Sequence, residues 1–333
     1  MYKLENIKSI HLELTSKCQA SCPMCPRNIQ GGIVNPWLNE TEITIDQFKH
    51  WFPTDFIKQL TRLFMCGNLG DAIVARDTLK VFQYLRETNL DIRLDLHTNG
   101  SAQTQKWWAQ LANLNVRVIF GIDGLEDTHS LYRIGTNFEK IINNAKTFIH
   151  HGGTARWDML VFEHNKHQTV ECEQLSKALG FSEFTQKNSA RFRDDFIKVL
   201  TSDGRTSHTI YPTEKSINIV NIAKKMFRLK SEEPVKITCK VKNENSLYIG
   251  ADGSVTPCCW LNYDGNTATI PNSITKIDYK DKGFKNPNLN DSSLKEIFDS
   301  DYFDRIEKTW ADAPLYGCSI QCGKIDILNE QFK

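Results

Sequence analysis

The sequence lacks the marks of a membrane-spanning or exported protein, and it carries almost no net charge. No run approaches the ~20 consecutive apolar residues that a spanning helix needs. The amino-terminal segment MYKLENIKSIHLEL contains four charged residues and is no signal peptide. The net charge is +1, so no overall positive field draws the chain onto nucleic acid or anionic lipid. These absences predict a cytoplasmic protein that binds no membrane and for which nucleic acid is not the expected partner.

The composition indicates a folded globular chain. Its 333 residues are 40% hydrophobic and 24% charged, fractions that exclude a disordered or collagen-like chain. This length has room for one large domain or two of moderate size. The unusual number is ten cysteines. In a reducing cytosol they are not expected to form a disulfide framework, so the question is which of them hold metal.

Three of the cysteines lie close together in a Cys-x3-Cys-x2-Cys pattern, as Cys18, Cys22 and Cys25. Thiolates are soft ligands that suit an iron–sulfur cluster or zinc. A structural zinc ion takes four ligands, usually from two separated pairs. Three thiolates with no fourth nearby instead leave one metal position open to an outside molecule. The alternative is a zinc site that a distant cysteine completes.

Residues 1–190 alternate short apolar runs with amphipathic runs, which is typical of parallel strands covered by helices. The predicted strands are Ile10–Leu14, Leu63–Cys66, Ile92–His97, Val116–Ile122, Trp157–Phe162 and Glu183–Gln186. The predicted helices are Ile45–Trp51, Asp77–Glu87, Thr104–Asn113, Phe138–His150 and Thr169–Leu179. Ligand sites in such folds lie at the carboxyl ends of the strands, so the residues after each strand are the candidates for a site.

The triplet follows an apolar strand and a Thr-Ser-Lys turn, and in this setting it resembles the cluster loop of the radical S-adenosylmethionine (radical SAM) superfamily. The resemblance implies an α/β fold, a partial (β/α)6 TIM-like barrel. It also implies a catalytic 4Fe-4S cluster on Cys18, Cys22 and Cys25, with S-adenosyl-L-methionine on the open iron. Reductive cleavage of this cofactor gives a 5′-deoxyadenosyl radical that abstracts hydrogen from substrate, and the electron comes from an external donor such as flavodoxin or ferredoxin.

Four strand ends carry residues that match or replace motifs of this family. Thr98-Asn99-Gly100 matches a Thr-Asn-Gly motif, whereas the residues after the second strand replace the usual Gly-Gly-Glu-Pro. By resemblance the S-adenosylmethionine contacts are Gly67, Asn68, Asp71, Thr98, Asn99, Asp123, Arg133 and Asn165. Two of these contacts have an open alternative. Asn99-Gly100 can also be read as an ordinary turn before a helix, and Arg133 as one partner of a surface ion pair with Glu126 or Asp127.

The stretch 187–242 is basic, with thirteen lysines or arginines against six acids. It is interpreted as a connector over 191–238, and its alternative is a face for an anionic substrate or partner. Arg191 and Arg193 follow the last predicted strand of the barrel and are the candidates to line its pocket. The long loop Ile29–Glu42 is a candidate lid.

The tail, residues 239–333, contains Cys239, an Asp-Gly hairpin that leads to Cys258-Cys259, and a Cys-x3-Cys pair at Cys318 and Cys322. It resembles the SPASM/twitch extension of radical SAM enzymes, a small α+β domain. The resemblance implies a second, auxiliary 4Fe-4S cluster on Cys239, Cys258, Cys318 and Cys322, which accepts an electron from the substrate. Cys259 stays open as the alternative to Cys258, and a zinc ribbon as the alternative to the cluster.

The favoured function is radical modification of a peptide or protein. The close alternative is dehydrogenation or related modification of a small molecule such as an aminocyclitol, sugar or nucleotide. A non-catalytic metal-binding or electron-transfer protein is the alternative from another class. The two lone cysteines are expected to bind no metal: Cys66 as a small buried residue near the first cluster and Cys172 as part of the core.

Overall fold

A computed structural model describes residues 2–192, 194–232, 234–262 and 274–324. The strands are β1 Ser9–Leu12, β2 Arg62–Met65, β3 Arg93–Thr98, β4 Val116–Gly121, β5 Ala155–Val161, β6 Glu183–Asn188, β7 Ile197–Leu200, β8 Thr206–Ile210, β9 Lys236–Ile237, β10 Ser246–Ile249, β11 Val255–Thr256 and β12 Gly323–Lys324. The helices are α1 Ile45–Trp51, α2 Thr54–Gln59, α3 Thr78–Thr88, α4 Gln105–Ala112, α5 Glu126–Tyr132, α6 Phe138–His150, α7 Thr169–Ala178, α8 Glu214–Glu232, α9 Lys240–Asn243, α10 Ile274–Asp281, α11 Leu294–Asp299, α12 Tyr302–Asp312 and α13 Tyr316–Cys322.

Eight strands form one sheet in the order β11-β10-β1-β2-β3-β4-β5-β6. Strands β1 to β6 are parallel neighbours, β10 pairs in parallel with β1, and β11 is antiparallel to β10. Parallel strands in chain order with helices between them make the partial barrel, so the predicted α/β fold class is confirmed. The tail adds β10 and β11 to this sheet, and its β12 pairs separately with β9, which precedes the tail.

The outer face of the sheet is apolar. Ile10 and Leu12 of β1 are completely buried, as is Leu96 of β3, in one core with Phe82 of α3 and Trp108 of α4. Because side chains alternate along a strand, the residues between them point into the barrel. Burial of this apolar face against the helices forms the hydrophobic core between the sheet and the helix layer.

The inner face of the sheet carries charges that are paired with one another. Asp95 is completely buried and lies 2.8 Å from both Arg62 Nε and Arg117 Nε on the two neighbouring strands. Asp158 of β5 pairs with Arg156 and with Lys187 of β6. Charges are tolerated inside a protein when they are paired in this way. The inner face of the sheet is therefore lined with paired charges.

Several helices begin at side chains that cap them. Thr44 and Gln47 form a reciprocal capping box at the start of α1, and Ser293 and Glu296 form another at α11. Such bonds satisfy N–H groups that the first helical turn leaves without partners. None of the helices in the described ranges is both long and apolar enough to cross a membrane.

Candidate functional site

The amino-terminal cysteine triplet lies on the loop after β1, and polar groups from other loops point at its sulfur atoms. Asn99 Nδ2 lies 3.7 Å from Cys18 Sγ, and Arg133 Nη1 lies 3.9 Å from Cys22 Sγ. The backbone N–H of Ala20 also donates to Cys18 Sγ, at 3.4 Å. Donors of this kind stabilise thiolates and tune iron–sulfur clusters, so the site fits the predicted cofactor.

Apolar side chains cover the triplet. Cys22 is buried in a cluster with Tyr132 and Phe162, and Cys25 packs against the same cluster. Burial raises the pKa of Cys22 to about 11, and the charge of Arg133 opposes this rise. Since thiolates in such surroundings need positive charge nearby, a bound metal would complete the site.

Asp71 holds the end of β3 against this loop. Its Oδ2 accepts hydrogen bonds from Thr98 Oγ1 at 2.9 Å, from Asn99 N at 2.8 Å and from Asn99 Nδ2 at 2.7 Å. Asn99 Oδ1 in turn accepts from Gln19 Nε2 of the triplet loop at 2.6 Å. The structure thus brings Asp71, Thr98 and Asn99 together beside the triplet. The Asp71 carboxylate is engaged by these donors and positions Asn99.

Arg133 is paired with Asp123 inside the protein. Its Nε lies 2.6 Å from Asp123 Oδ2, and Asp123 has no exposed side-chain surface. The alternative of a surface pair with Glu126 or Asp127 is wrong, because Arg133 ends α5 and turns back towards the end of β4. Burial raises the pKa of Asp123, whereas the guanidinium of Arg133 lowers it.

Asn165 is completely buried and engaged by backbone groups. Its Oδ1 accepts from Phe162 N at 2.8 Å, and its Nδ2 donates to Leu160 O at 3.0 Å and to Asp123 O at 3.1 Å. It therefore shapes the loop after β5 around Asp123.

The loop after β2 packs closely on the end of β1. A Cβ atom added to Gly67 would collide with the backbone of Gly70, and one added to Gly70 would collide with the backbone of Thr15, so only glycine fits at either position. Between them the carbonyl of Asn68 accepts a weak bond from the Cys25 thiol, with a sulfur–oxygen distance of 4.0 Å. Gly67 and Asn68 thus lie beside the triplet, as expected.

Glu13, directly after β1 and beside this loop, is a buried acidic residue that the sequence analysis does not predict to be part of the site. It is 2% exposed, and its Oε1 accepts from Asn68 N at 2.9 Å and from Tyr248 OH of β10 at 2.8 Å. Burial raises the pKa of Glu13 to about 7, against the hydrogen bonds from Asn68 and Tyr248. The carboxyl joins the loop after β2 to the tail. The sequence signal is an acidic residue inside the predicted apolar strand Ile10–Leu14.

All four cysteines predicted to hold the second cluster line one cavity of about 130 Å³. They are Cys239, Cys258, Cys318 and Cys322. Cys239 and Cys322 interact with each other, and this interaction raises the pKa of Cys239 and lowers that of Cys322. A small cavity lined by four cysteines fits a cluster that is ligated only by protein.

Cys259 does not line this cavity. Burial raises the pKa of Cys259 to about 11, whereas the Asn68 side chain lowers it and Glu13 raises it, so this thiol lies on the side of the barrel. Cys66, half-buried at the end of β2, interacts electrostatically with Glu13 and Cys259. The two neighbouring cysteines of the tail therefore face different sites, with Cys258 towards the cavity and Cys259 towards the barrel.

A single metal ion finds no ready site. Among the residues that the structure describes, no three His, Cys, Asp or Glu side chains are placed to hold one ion. Cys172 is completely buried in the core, as expected. Arg191 donates to Met24 O at 3.4 Å in the triplet loop, and Arg193 lies outside the described residues.

Comparison with known proteins places these features in a family context. Residues 239–323 match the SPASM family, described as an iron–sulfur cluster-binding domain. A tungsten-containing aldehyde ferredoxin oxidoreductase cofactor-modifying protein of Pyrococcus furiosus is 21% identical over 332 residues, a match that covers 95% of this chain and 88% of that protein.

Two solved structures share the fold. Streptococcus suis SuiB bound to S-adenosylmethionine is 12% identical, with 93% of this chain and 67% of SuiB covered at a TM-score of 0.54. The protein anSMEcpe with bound AdoMet is 15% identical, with 91% of this chain and 81% of that chain covered at a TM-score of 0.55. Further structures contain SuiB with its precursor peptide SuiA and anSMEcpe with the Cp18Cys peptide. These findings confirm the resemblance predicted from the sequence: the chain has the fold of the radical SAM SPASM enzymes and carries an iron–sulfur cluster-binding domain of the SPASM family.

Proposed function

We propose that Cys18, Cys22 and Cys25 ligate a 4Fe-4S cluster whose fourth iron binds S-adenosylmethionine. When bound, this pair supplies a 5′-deoxyadenosyl radical that abstracts a hydrogen atom from the substrate. The observation that carries the proposal is the convergence of Asn99 and Arg133 on the sulfurs of Cys18 and Cys22. Asn99 follows β3 and Arg133 ends α5, and both are distant from the triplet in sequence, so local geometry does not explain their meeting.

The residues around the triplet have separate tasks in this proposal. Asp71 fixes Thr98 and Asn99, and Asp123 fixes Arg133 through its Nε. The guanidinium has further N–H donors, which suit the carboxylate of S-adenosylmethionine. Tyr132, buried in the same apolar cluster as Cys22, excludes water from the sulfurs.

A second 4Fe-4S cluster is proposed in the cavity lined by Cys239, Cys258, Cys318 and Cys322. Four protein thiolates leave no iron open, so the site suits electron transfer rather than substrate binding. The same proposal includes an external electron donor such as flavodoxin or ferredoxin, and a cytoplasmic location, where thiols stay reduced.

For the substrate we favour a peptide or protein. The support is that SuiB and anSMEcpe, which share this fold, have been solved with peptides bound. A polar small molecule is the second candidate, and one feature of this chain favours it. The inner face of the barrel carries the paired charges of Arg156, Asp158 and Lys187, a polar lining that suits hydroxyl, amine or acid groups.

The metal content of the chain tests the proposal. Anaerobic reconstitution with iron and sulfide is expected to give about eight irons per chain and no zinc. Replacing Cys18, Cys22 and Cys25 by alanine is expected to halve the iron and leave the second cluster. Zinc without iron in the purified protein would contradict the proposal and favour a structural metal protein.

A further inference from the structure

Three arginines surround one buried carboxylate at the amino ends of neighbouring strands. Arg62 and Arg93 begin β2 and β3, and Arg117 is the second residue of β4. The Nε atoms of Arg62 and Arg117 each lie 2.8 Å from the carboxylate of Asp95, and that of Arg93 lies 3.1 Å from it. Asp95 has no exposed side-chain surface. One negative charge therefore faces three positive charges, which leaves an excess of two positive charges in this cluster.

The other acidic side chains of the inner face do not remove this excess. Asp158 and Glu183 both lie beside Arg156, and Asp158 also pairs with Lys187. Within the described ranges, Asp95 is the only acidic partner of the three arginines. The excess is local, because the whole chain has a net charge of only +1. A positive charge concentrated at the amino end of the barrel favours the binding of an anion there.

The terminal nitrogens of the three guanidinium groups remain available to a ligand. Each arginine donates to Asp95 through Nε. A guanidinium carries most of its N–H donors on the two terminal nitrogens, Nη1 and Nη2. In the part of the chain that the structure describes, these nitrogens of Arg62, Arg93 and Arg117 have no hydrogen-bonding partner. The three side chains are 35%, 54% and 31% exposed, so a molecule in solution can reach them.

The arginine side chains are held in place without a ligand. The guanidinium of Arg62 lies over the ring of Phe64, 4.4 Å from its centre. Arg62 is also the register partner of Arg93 on the neighbouring strand, and Asp95 is the register partner of Arg117. Since planar guanidinium groups that are fixed in this way lose little freedom on binding, the cluster is preorganised for a ligand with several oxygen atoms.

We propose that Arg62, Arg93 and Arg117 bind a phosphate group at the amino end of the barrel, and that Asp95 holds the three guanidinium groups around it. A phosphate carries close to two negative charges near neutral pH, and its oxygens match the guanidinium fork. It therefore balances the excess charge of the cluster, whereas a carboxylate would balance half of it. The source is either free inorganic phosphate or a small phosphorylated molecule. The cysteine triplet follows the carboxyl end of β1, so this site is separate from the proposed cofactor site and does not depend on the proposed function.

Calorimetric titration of the reconstituted full chain tests the site. Inorganic phosphate and ribose 5-phosphate are the two probes, each in a chloride buffer of constant ionic strength. Arg93→Gln with Arg117→Gln removes two of the three guanidinium groups. Arg76→Gln with Arg205→Gln is the matched control, because it removes the same charge from exposed arginines that each pair with an acidic side chain elsewhere. Arg93→Gln alone changes the most exposed arginine of the cluster and leaves Asp95 with two partners, so it tests the site if the double variant does not fold.

The wild type is expected to bind one phosphate per chain. Its affinity is expected to fall about tenfold or more in the double variant, about threefold in Arg93→Gln and less than about twofold in the control. Tighter binding of ribose 5-phosphate would support the proposal with a phosphorylated molecule as the source, and equal or weaker binding would support it with free phosphate as the source. Wild-type affinity in both cluster variants would overturn the proposal, since the phosphate would then bind elsewhere. So would a wild type that binds neither probe.

Discussion

The hydroxyl of Tyr248 donates a hydrogen bond to Oε1 of Glu13 at 2.8 Å, between residues 235 positions apart in sequence. The bond joins the tail to the first strand of the barrel. From this bond a chain of hydrogen bonds extends into the tail. Asn262 Nδ2 lies 3.4 Å from Tyr248 OH, and Asn286 Nδ2 donates to Asn262 Oδ1 at 2.8 Å. All of these side chains are buried, so barrel and tail share one polar network.

The buried Glu13 carboxyl makes the stability of the protein depend on pH. Burial raises its pKa from 4.5 to about 7, so the folded chain keeps a proton that the unfolded chain loses between these values. The contribution of Glu13 to the free energy of unfolding is complete below pH 4.5 and is lost as the pH rises through about 7. Glu13→Gln removes the effect. Its free energy of unfolding, compared with that of the wild type, is therefore expected to rise by up to about 3 kcal/mol between pH 5 and pH 8.

Urea unfolding followed by tryptophan fluorescence at the two pH values measures this difference. Tyr248, Cys66 and Cys259 also face Glu13, and His11 lies beside it on the barrel side of β1, so the comparison must be made between variants at each pH. Glu139→Gln, on the exposed side of α6, is the matched control. A difference between Glu13→Gln and wild type that is the same at both pH values would contradict the account.

The Asp123–Arg133 pair is expected to behave as a buried ion pair. Arg133→Met leaves the Asp123 carboxylate buried without its partner and is expected to cost about 3–5 kcal/mol of unfolding free energy. Asp123→Asn combined with Arg133→Met should cost less than the sum of the two single changes. The surface pair Glu173–Lys177, with a nitrogen–oxygen distance of 2.7 Å, is the control for this double-variant comparison. Its coupling free energy is expected to stay below about 1 kcal/mol. Additive effects at Asp123 and Arg133 would be inconsistent with the pairing.

Asp71 is expected to control the binding of S-adenosylmethionine through Asn99. Asp71→Ala frees three donors on Thr98 and Asn99, so affinity should fall about tenfold or more while the iron content stays unchanged. Asp71→Asn keeps an acceptor oxygen and should lose less. Calorimetric titration of S-adenosylmethionine into the reconstituted chain measures both. Wild-type affinity in Asp71→Ala would exclude this role.

Cys258 and Cys259 are expected to differ although they are neighbours. Cys258→Ala removes a thiol from the cavity and should lower the iron content from about eight to about four per chain. Cys259→Ala, whose thiol faces Asn68 instead, should leave the iron content unchanged. Iron analysis and absorption spectra of the two variants decide the point. The reverse pattern would assign the ligand to Cys259.

The fold could be predicted from the sequence because its signals are local. Alternation of apolar and amphipathic runs indicated the parallel strands, and the spacing of Cys18, Cys22 and Cys25 indicated one metal site. The second metal site was implied by the resemblance of the tail to the SPASM/twitch extension. The partners of Arg133 and Glu13 could not be predicted in the same way. Arg133 has acidic residues nearby in sequence, yet it pairs with Asp123 because α5 turns back to the end of β4. Glu13 gains its role only when β10 pairs with β1.

The formation of 5′-deoxyadenosine tests the central claim most directly. The reconstituted chain is reduced with dithionite, S-adenosylmethionine is added, and the product is quantified by mass spectrometry. The wild type is expected to form 5′-deoxyadenosine, and the variant with Cys18, Cys22 and Cys25 replaced by alanine is expected to form none while it keeps the second cluster. A wild-type chain with its full iron content that forms no 5′-deoxyadenosine, or a triplet variant that forms as much as wild type, would contradict the account.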